Sequence, residues 1–239
     1  MIEAFKALVQ EEIDTVRAEL AAKDPALAKA NGVTPPFSWW TKGKGFRGLV
    51  SLIVEQQVSV TSAKAIFKRL EDGIGGIHVE TILAHDIQQL RSFGLSLPKA
   101  KYILGIAKAH ADGDVVLAEL ESLDDEAACA KLVELKGVGR WTAEAYLMGC
   151  EGRTDVFPAA DVALQEALRI LDASPCRLST EGMYERAERW RPNRAIAAQL
   201  LWGYYGAIKG NVIPMPQGVP PMIKTPSSAK SVNRRKPAA

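Results

Sequence analysis

The stretch 135–161 constrains the fold more than any other part of the chain. Before it, apolar residues recur at three- and four-residue spacings, which is typical of one face of a helix. Two glycines, Gly137 and Gly139, then interrupt this pattern, and a second helix is predicted over 141–148. Two helices joined by a Gly-x-Gly turn form a helix-hairpin-helix, so we predict that motif here.

The two glycines of this turn favour contact with a phosphate group. Glycine has no Cβ, so it can adopt positive φ and lets another backbone approach closely. Because the turn opens a helix, its first amide N–H groups have no partner within the helix and lie at the positive end of the helix dipole. A plain C-cap glycine followed by a tight turn is the alternative. The whole string from Leu135 to Ala143, with helical pattern on both sides, favours the phosphate site.

The sequence Leu-x-Gly-Val-Gly-x-Trp-Thr-Ala, followed by Asp-Val-Phe-Pro and Asp161, closely resembles the helix-hairpin-helix DNA glycosylase superfamily. Within it, the chain looks like the 3-methyladenine DNA glycosylase II branch. The resemblance covers roughly 24–210 and is strongest over 132–168. It implies that Asp161, twenty residues after Trp141, is the catalytic aspartate. The residues that it implies for holding a DNA phosphate are Gly137, Val138, Gly139 and Thr142.

Asp161 also precedes the helical pattern Val-Ala-Leu-Gln, so it is a predicted helix N-cap. Capping and catalysis are compatible, because the cap fixes the direction of the carboxylate. Breaking an N-glycosidic bond builds positive charge on the sugar, as in other oxocarbenium-like hydrolyses. A carboxylate near C1′ stabilises that charge and can orient the attacking water.

Trp141 determines the predicted reaction type. Superfamily members that also nick the strand carry a lysine at this position, which forms a Schiff base with the sugar. Tryptophan cannot do so, and Lys136 does not match the position. We therefore predict a monofunctional glycosylase that excises alkylated purines from double-stranded DNA in base excision repair and leaves an abasic site.

The resemblance also implies a base pocket and a DNA wedge. Recognition of a cationic base favours electron-rich ring faces. Gln57 is implied as the wedge, which fills the space that an extruded base leaves in the stack. Packing roles for the tryptophans and solvation of the two glutamines are the alternatives. Lys99 and Lys101 are candidates for phosphate contacts. The implied pocket residues are Trp141, Trp202, Gln56, Trp39 and Trp40.

Composition and charge exclude several classes of protein. The 47% apolar content excludes disorder for the body of the chain, and no apolar run approaches the roughly 20 residues needed to span a membrane. The first residues lack a secretory pattern, so a cytoplasmic monomer without a membrane partner is expected. Nine basic residues and no acidic residue follow Glu188, which suggests contact with a polyanion, with a solubilising tail as the alternative.

The cysteines give no sign of a metal centre. Cys129, Cys150 and Cys176 fit neither a zinc site nor a disulfide framework, so we predict buried thiols. The four-cysteine iron–sulfur cluster of the endonuclease III branch is absent, because no cysteine follows Cys176. No metal and no other cofactor is expected, although the resemblance allows a monovalent cation held by the hairpin carbonyls.

The absence of useful period-two alternation predicts an all-α fold. By resemblance, it has two helical lobes, with the helix-hairpin-helix and the catalytic aspartate loop at their junction. One lobe spans 45–154, and the other combines 1–44 with 155–213. The basic segment 214–239 is predicted to be disordered or loosely docked. Among individual helices, we predict one over 46–58 and one over 83–93.

Two alternatives remain open. One is a superfamily member that removes another damaged base, since Ala145 stands where some relatives carry a pocket tyrosine and Tyr146 lies about 100° around the helix. The missing lysine argues against the oxidised-guanine type. The other is a non-catalytic helix-hairpin-helix DNA-binding module. Asp161 argues against it, because a carboxylate beside DNA repels phosphates.

Overall fold

A computed structural model of the protein describes residues 9–37, 42–114 and 117–221. These ranges contain twelve α-helices, two 3-10 helices at 117–122 and 188–190, and no β-strand, which confirms the predicted all-α class. The helices are α1 (Gln10–Lys23), α2 (Pro25–Val33), α3 (Gly45–Glu55), α4 (Val60–Ile74), α5 (Val79–Leu83), α6 (Ile87–Ser92), α7 (Leu97–Ala111), α8 (Asp125–Val133), α9 (Arg140–Gly149), α10 (Val162–Leu171), α11 (Thr180–Ala187) and α12 (Arg194–Lys209).

Polar side chains start several of these helices. The Asp24 carboxylate accepts a hydrogen bond from the Ala26 amide, and Pro25 occupies the first position of α2. Ser59 caps α4 and Asp161 caps α10 in the same way. Each cap satisfies an amide that has no partner within its helix, so these starts are determined locally.

The helix predicted over 46–58 is wrong at its C-terminal end. α3 ends at Glu55, and Gln56 leaves the helix with extended ψ. Gln57 then adopts the left-handed region with φ of 57°. The chain therefore turns within the predicted helix and presents both glutamines from a loop.

The helix predicted over 83–93 is wrong at its start. Leu83 is the last residue of α5, and a new helix begins after Asp86. Asp86 accepts from the Gln89 amide, and the Gln89 side chain accepts from the Asp86 amide. This capping box starts α6 at Ile87, four residues after the predicted start, and Leu83 belongs to α5.

The apolar core consists of two clusters that meet at α9. The first is formed mainly by α3 to α9, and the second by α1, α2 and α10 to α12. α9 contributes Tyr146 and Leu147 to the first cluster and Met148 to the second. It is buried from Thr142 to Gly149, so its sequence is not amphipathic. The loop that precedes α9 therefore opens where the two clusters meet.

Several expectations concern the ends and loops of the chain. Residues 214–221 contact the body, since Val219 packs against the second cluster and Arg169 donates from Nη1 to the Pro220 carbonyl at 2.9 Å. The remainder of the predicted tail, 222–239, lies outside the described residues. So do the predicted pocket residues Trp39 and Trp40.

All three cysteines are free thiols. Cys129 and Cys150 are buried as predicted, whereas the prediction is wrong for Cys176, which is only partly buried. Burial raises the pKa of the Cys129 thiol to about 11 and that of Cys150 to about 12, which makes both unreactive at neutral pH. Among the described residues, no helix has the length and apolar content to cross a lipid bilayer.

Candidate active site

A cavity of about 930 Å³ lies between the N-terminal ends of α7, α9 and α10. Most of the site residues expected from the sequence meet there. Trp202 does not line the cavity but contacts Asp161. The expected residues on the cavity wall are Gln56, Gln57, Gly137, Val138, Gly139, Trp141, Thr142 and Asp161.

The two hairpin glycines have different physical roles. Gly137 adopts φ of 97°, and a Cβ built on it would lie 2.3 Å from Cγ of Tyr102. Both the backbone conformation and the contact with Tyr102 therefore require glycine at 137. Gly139 has an ordinary φ of −88°, and no atom of the described part of the chain lies within 4 Å of its Cβ position. The protein itself does not need glycine at 139, and this open position lies on the cavity wall.

The start of α9 presents unpaired amides. Gly139 is the N-cap and has no side chain to satisfy the first turn. The Val138 amide donates to the Leu135 carbonyl at 2.9 Å, so it is used within the hairpin. The unpaired amides thus lie just after the turn, where the helix dipole favours an anion. In the described part of the chain, the amides that donate no backbone hydrogen bond there are those of Gly139, Arg140, Trp141 and Thr142.

Four N–H groups fix the carboxylate of Asp161. Oδ1 accepts from the amides of Ala163 at 2.8 Å and Leu164 at 3.0 Å, which is the N-cap of α10. The Trp202 indole donates to the same oxygen at 3.1 Å. The Trp141 indole donates to Oδ2 at 2.9 Å. An ionised carboxylate has about four acceptor directions, so these donors hold it in one orientation at the cavity wall.

Trp141 and Trp202 have a role that the sequence did not indicate. Both were expected as aromatic walls of a base pocket, which stays a prediction, and both direct an indole N–H to Asp161. Trp202 also packs against the second core cluster, so part of its surface has the packing role that was the alternative prediction. Tyr146 is turned away from the pocket, as its place on the helix next to Ala145 predicted. Its hydroxyl points away from the cavity and accepts from the Gly45 amide at 3.0 Å.

Gln56 ties the loop after α3 to the hairpin. Its Nε2 donates to the Gly137 carbonyl and to Oγ1 of Thr142, each at 3.0 Å. The Thr142 side chain is therefore directed at Gln56, whereas its amide donates no backbone hydrogen bond within the described part of the chain. One carbonyl of the hairpin is already occupied by this contact, and the monovalent cation stays a prediction. Among the described residues, no group of three or more His, Cys, Asp or Glu side chains is arranged to hold a metal ion.

The basic candidates are placed differently from what we expected. Lys99 lines the cavity, but its ammonium donates to the carbonyls of Val54 at 2.9 Å and Gln56 at 2.6 Å. In the basic C-terminal part, Arg191 and Arg194 form ion pairs with Asp155 and Glu188. Those two arginines therefore serve the protein's own structure.

Further residues line the cavity that the sequence had not suggested. The helix α7 and its N-cap supply half of them, and the four-residue spacing of Pro98 and Tyr102 is the signal that would have indicated a shared face. The residues adjoining Asp161 were not predicted, because the loop that positions them has no periodic sequence pattern. The additional lining residues are Ser96, Pro98, Tyr102, Ala160, Val162 and Ala163.

Comparison with known proteins agrees with this geometry. The model of the HhH-GPD superfamily base excision DNA repair proteins matches residues 50–192, a range that contains the hairpin and Asp161. The chain belongs to the HhH-GPD superfamily. The recognition expected from the hairpin and the aspartate loop is thereby confirmed.

Relatives within the HhH-GPD superfamily match over most of the chain. A Bacillus subtilis (strain 168) relative is 31% identical over 165 residues, which are 64% of this chain and 56% of the relative. The chain thus spans little more than half of that protein. DNA-3-methyladenine glycosylase 1 of Schizosaccharomyces pombe is 29% identical, with 74% of this chain and 79% of the relative covered.

Solved structures of the HhH-GPD superfamily share the fold. The 3-methyladenine DNA glycosylase of Schizosaccharomyces pombe in complex with abasic DNA has a TM-score of 0.72 at 27% identity, covering 79% of this chain and 95% of that one. A DNA-3-methyladenine glycosidase from Bacillus halodurans has a TM-score of 0.69 at 29% identity, covering 86% and 94%.

Proposed function

We propose that this protein is a monofunctional DNA glycosylase that excises alkylated purines from double-stranded DNA and leaves an abasic site for base excision repair. The observation that carries the proposal is the carboxylate of Asp161, which four N–H donors hold at a cavity that also contains the hairpin amides. The named relatives support alkylated purines as the substrate class. The proposal takes the protein as a monomer, because the Asp161 carboxylate and the hairpin amides lie on one chain.

The hairpin provides the grip on DNA. Amides at the start of α9 bind a phosphate, which positions the backbone without reading the base sequence. Extruding a nucleotide from the duplex costs unstacking and unpairing energy. This cost is smaller for a damaged base than for an intact one. Gln57 lies exposed on the rim of the cavity, where it can fill the vacated space in the stack.

The chemical step requires little from the protein beyond Asp161. A purine nucleoside methylated at N3 or N7 is already cationic, so its base leaves without much protonation. As the glycosidic bond breaks, the sugar gains positive charge, and the Asp161 carboxylate stabilises that charge electrostatically. Its indole and amide donors keep it in place, so little reorganisation accompanies the reaction. Water then adds to the sugar and yields the abasic site.

The tryptophan at position 141, where strand-nicking relatives carry a lysine, leads to the first prediction. On duplex DNA treated with a methylating agent, the protein should release methylated purines, and strand breaks should appear only after alkali. Trp141 cannot form a Schiff base, and the Lys99 ammonium is bonded to two carbonyls. Borohydride should therefore trap no covalent adduct. A trapped adduct would refute the monofunctional assignment, and tight DNA binding without any base release would favour the non-catalytic module.

The glycines of the hairpin provide a second prediction. Gly139→Ala should fold normally, because its Cβ position is open, but the new methyl group would stand beside the phosphate amides. We expect affinity for duplex DNA to fall about tenfold, the loss of roughly one hydrogen bond to a charged group. Fluorescence anisotropy with a labelled duplex measures this change.

A matched variant separates DNA contact from folding. Gly105→Ala makes the same change in α7 at a position that is also open, so its DNA affinity should equal that of the wild type. Gly137→Ala, in contrast, should lower the melting temperature because its Cβ would overlap Tyr102. Equal DNA affinity of Gly139→Ala and the wild type would place the phosphate elsewhere.

A further inference from the structure

Lys99 occupies a position that its charge does not favour. It is the third residue of α7, and the positive end of a helix dipole disfavours a cation there. Its surroundings also remove water from the ammonium, and this desolvation lowers the pKa of Lys99. The side chain must therefore gain something specific from this place in the fold.

The ammonium of Lys99 forms hydrogen bonds with the C-terminal end of α3. Its ammonium donates to the Val54 carbonyl at 2.9 Å and to the Gln56 carbonyl at 2.6 Å. Carbonyls at a helix C-terminus have no partner within the helix and favour a cation. Lys99 thus joins the start of α7 to the point where the chain leaves α3.

The next residue, Gln57, depends on that junction. It adopts φ of 57°, a conformation that non-glycine residues rarely hold unless neighbouring structure fixes it. The preceding residue, Gln56, is held by two sets of contacts. Its carbonyl accepts from Lys99, and its side chain donates to Gly137 and Thr142 of the hairpin. The backbone of Gln57 is therefore fixed relative to the phosphate-binding turn, while its own side chain remains exposed.

We propose that Lys99 is a positioning residue for Gln57, which sets the wedge at a fixed place relative to the hairpin and makes no phosphate contact itself. This proposal rests on the proposed function, in which Gln57 enters the DNA stack. Lys99 acts only through the carbonyls that it binds. Its loss should then affect binding to DNA with a vacated base position and leave binding to intact duplex unchanged.

Lys99→Met keeps the apolar stem and removes the three donors. The preference for a duplex with a central abasic site over the intact duplex should fall about tenfold, the equivalent of one lost hydrogen bond to a charged group. The slope of log affinity against log salt should not change. A phosphate contact would instead weaken binding to both duplexes equally and reduce that slope by about 0.9. Lys108→Met, at the exposed end of the same helix, is the matched control and should behave as the wild type.

A double-variant cycle removes the remaining ambiguity from general destabilisation. In a Gln57→Ala background there is no wedge to position, so adding Lys99→Met should cause no further loss of abasic-site preference. A loss of the same size in both backgrounds, or a reduced salt slope, overturns the proposal. If the wild type itself does not prefer the abasic duplex, the proposed function fails as well. If the wild type prefers it and Lys99→Met retains the full preference, only the positioning role fails.

Discussion

Asp161→Asn is expected to reduce the rate of base release about 10²- to 10³-fold, the usual effect of removing one preorganised electrostatic contact in an active site. Asn keeps an oxygen that can accept from Ala163 and Leu164, so the cap of α10 and the fold should persist. The negative charge is lost, and the new NH₂ group faces the Trp141 indole N–H, which leaves a donor without an acceptor. Single-turnover release of methylated purines measures the rate.

The control for Asp161→Asn lies at the other end of the same helix. Asp172→Asn removes an equal charge at the C-cap of α10. Among the described residues, the Asp172 carboxylate pairs only with Arg186, at a long 3.4 Å. Base release by this variant should match that of the wild type. DNA affinity should not fall in Asp161→Asn, since removing a negative charge beside phosphates does not weaken binding. An unchanged rate in Asp161→Asn would exclude this carboxylate from the chemistry.

The features that the sequence predicted correctly are those that depend on neighbouring residues. The hairpin follows from two glycines between helical patterns, and the N-cap role of Asp161 follows from the helix that begins directly after it. Gly137 illustrates this, since a positive φ is a property of one residue and its two peptide bonds. The family resemblance then placed Asp161 and the hairpin on one cavity, where the structure also has them.

The features that the sequence did not show depend on contacts between distant segments. Trp202 reaches Asp161 across 41 positions, and Lys99 reaches Gln56 across 43. An indole N–H or an ammonium can serve many partners, so residue type alone gives no information about which acceptor it meets. For the same reason the sequence made Lys99 a candidate for a DNA contact, although the fold directs it to the carbonyls of Val54 and Gln56 at the C-terminal end of α3. The end of α3 was also set by this tertiary contact and by the turn at Gln57, and helix periodicity could not locate it.

Arg153→Met is expected to lower the free energy of unfolding by about 3–5 kcal/mol, the range found when one partner of a buried ion pair is removed. The Arg153 side chain is fully buried in the connection between α9 and the loop that leads to Asp161. It donates to Oε2 of Glu151 and Oδ1 of Asp125, each at 3.0 Å, and to two main-chain carbonyls of the segment before α8. Methionine fills much of the volume but supplies no donor, so Glu151 would remain as an uncompensated buried acid.

The pH dependence of this loss identifies its cause. Burial already raises the pKa of the Glu151 carboxyl, and the Arg153 guanidinium opposes that rise. Without Arg153 the folded-state pKa of Glu151 rises further above its unfolded value. At pH below the unfolded pKa of Glu151, near 4.5, the buried side chain is protonated and uncharged, so it does not destabilise the fold through its charge. The free energy of unfolding then falls as pH increases through the raised folded pKa. Urea unfolding from pH 4.5 to 7.5 should therefore show a deficit in the free energy of unfolding, relative to the wild type, that grows with pH.

Adding Glu151→Gln to Arg153→Met removes the titrating group, so it should abolish this growth and recover part of the stability. A deficit independent of pH in the single variant would attribute the loss to packing and to the main-chain contacts instead.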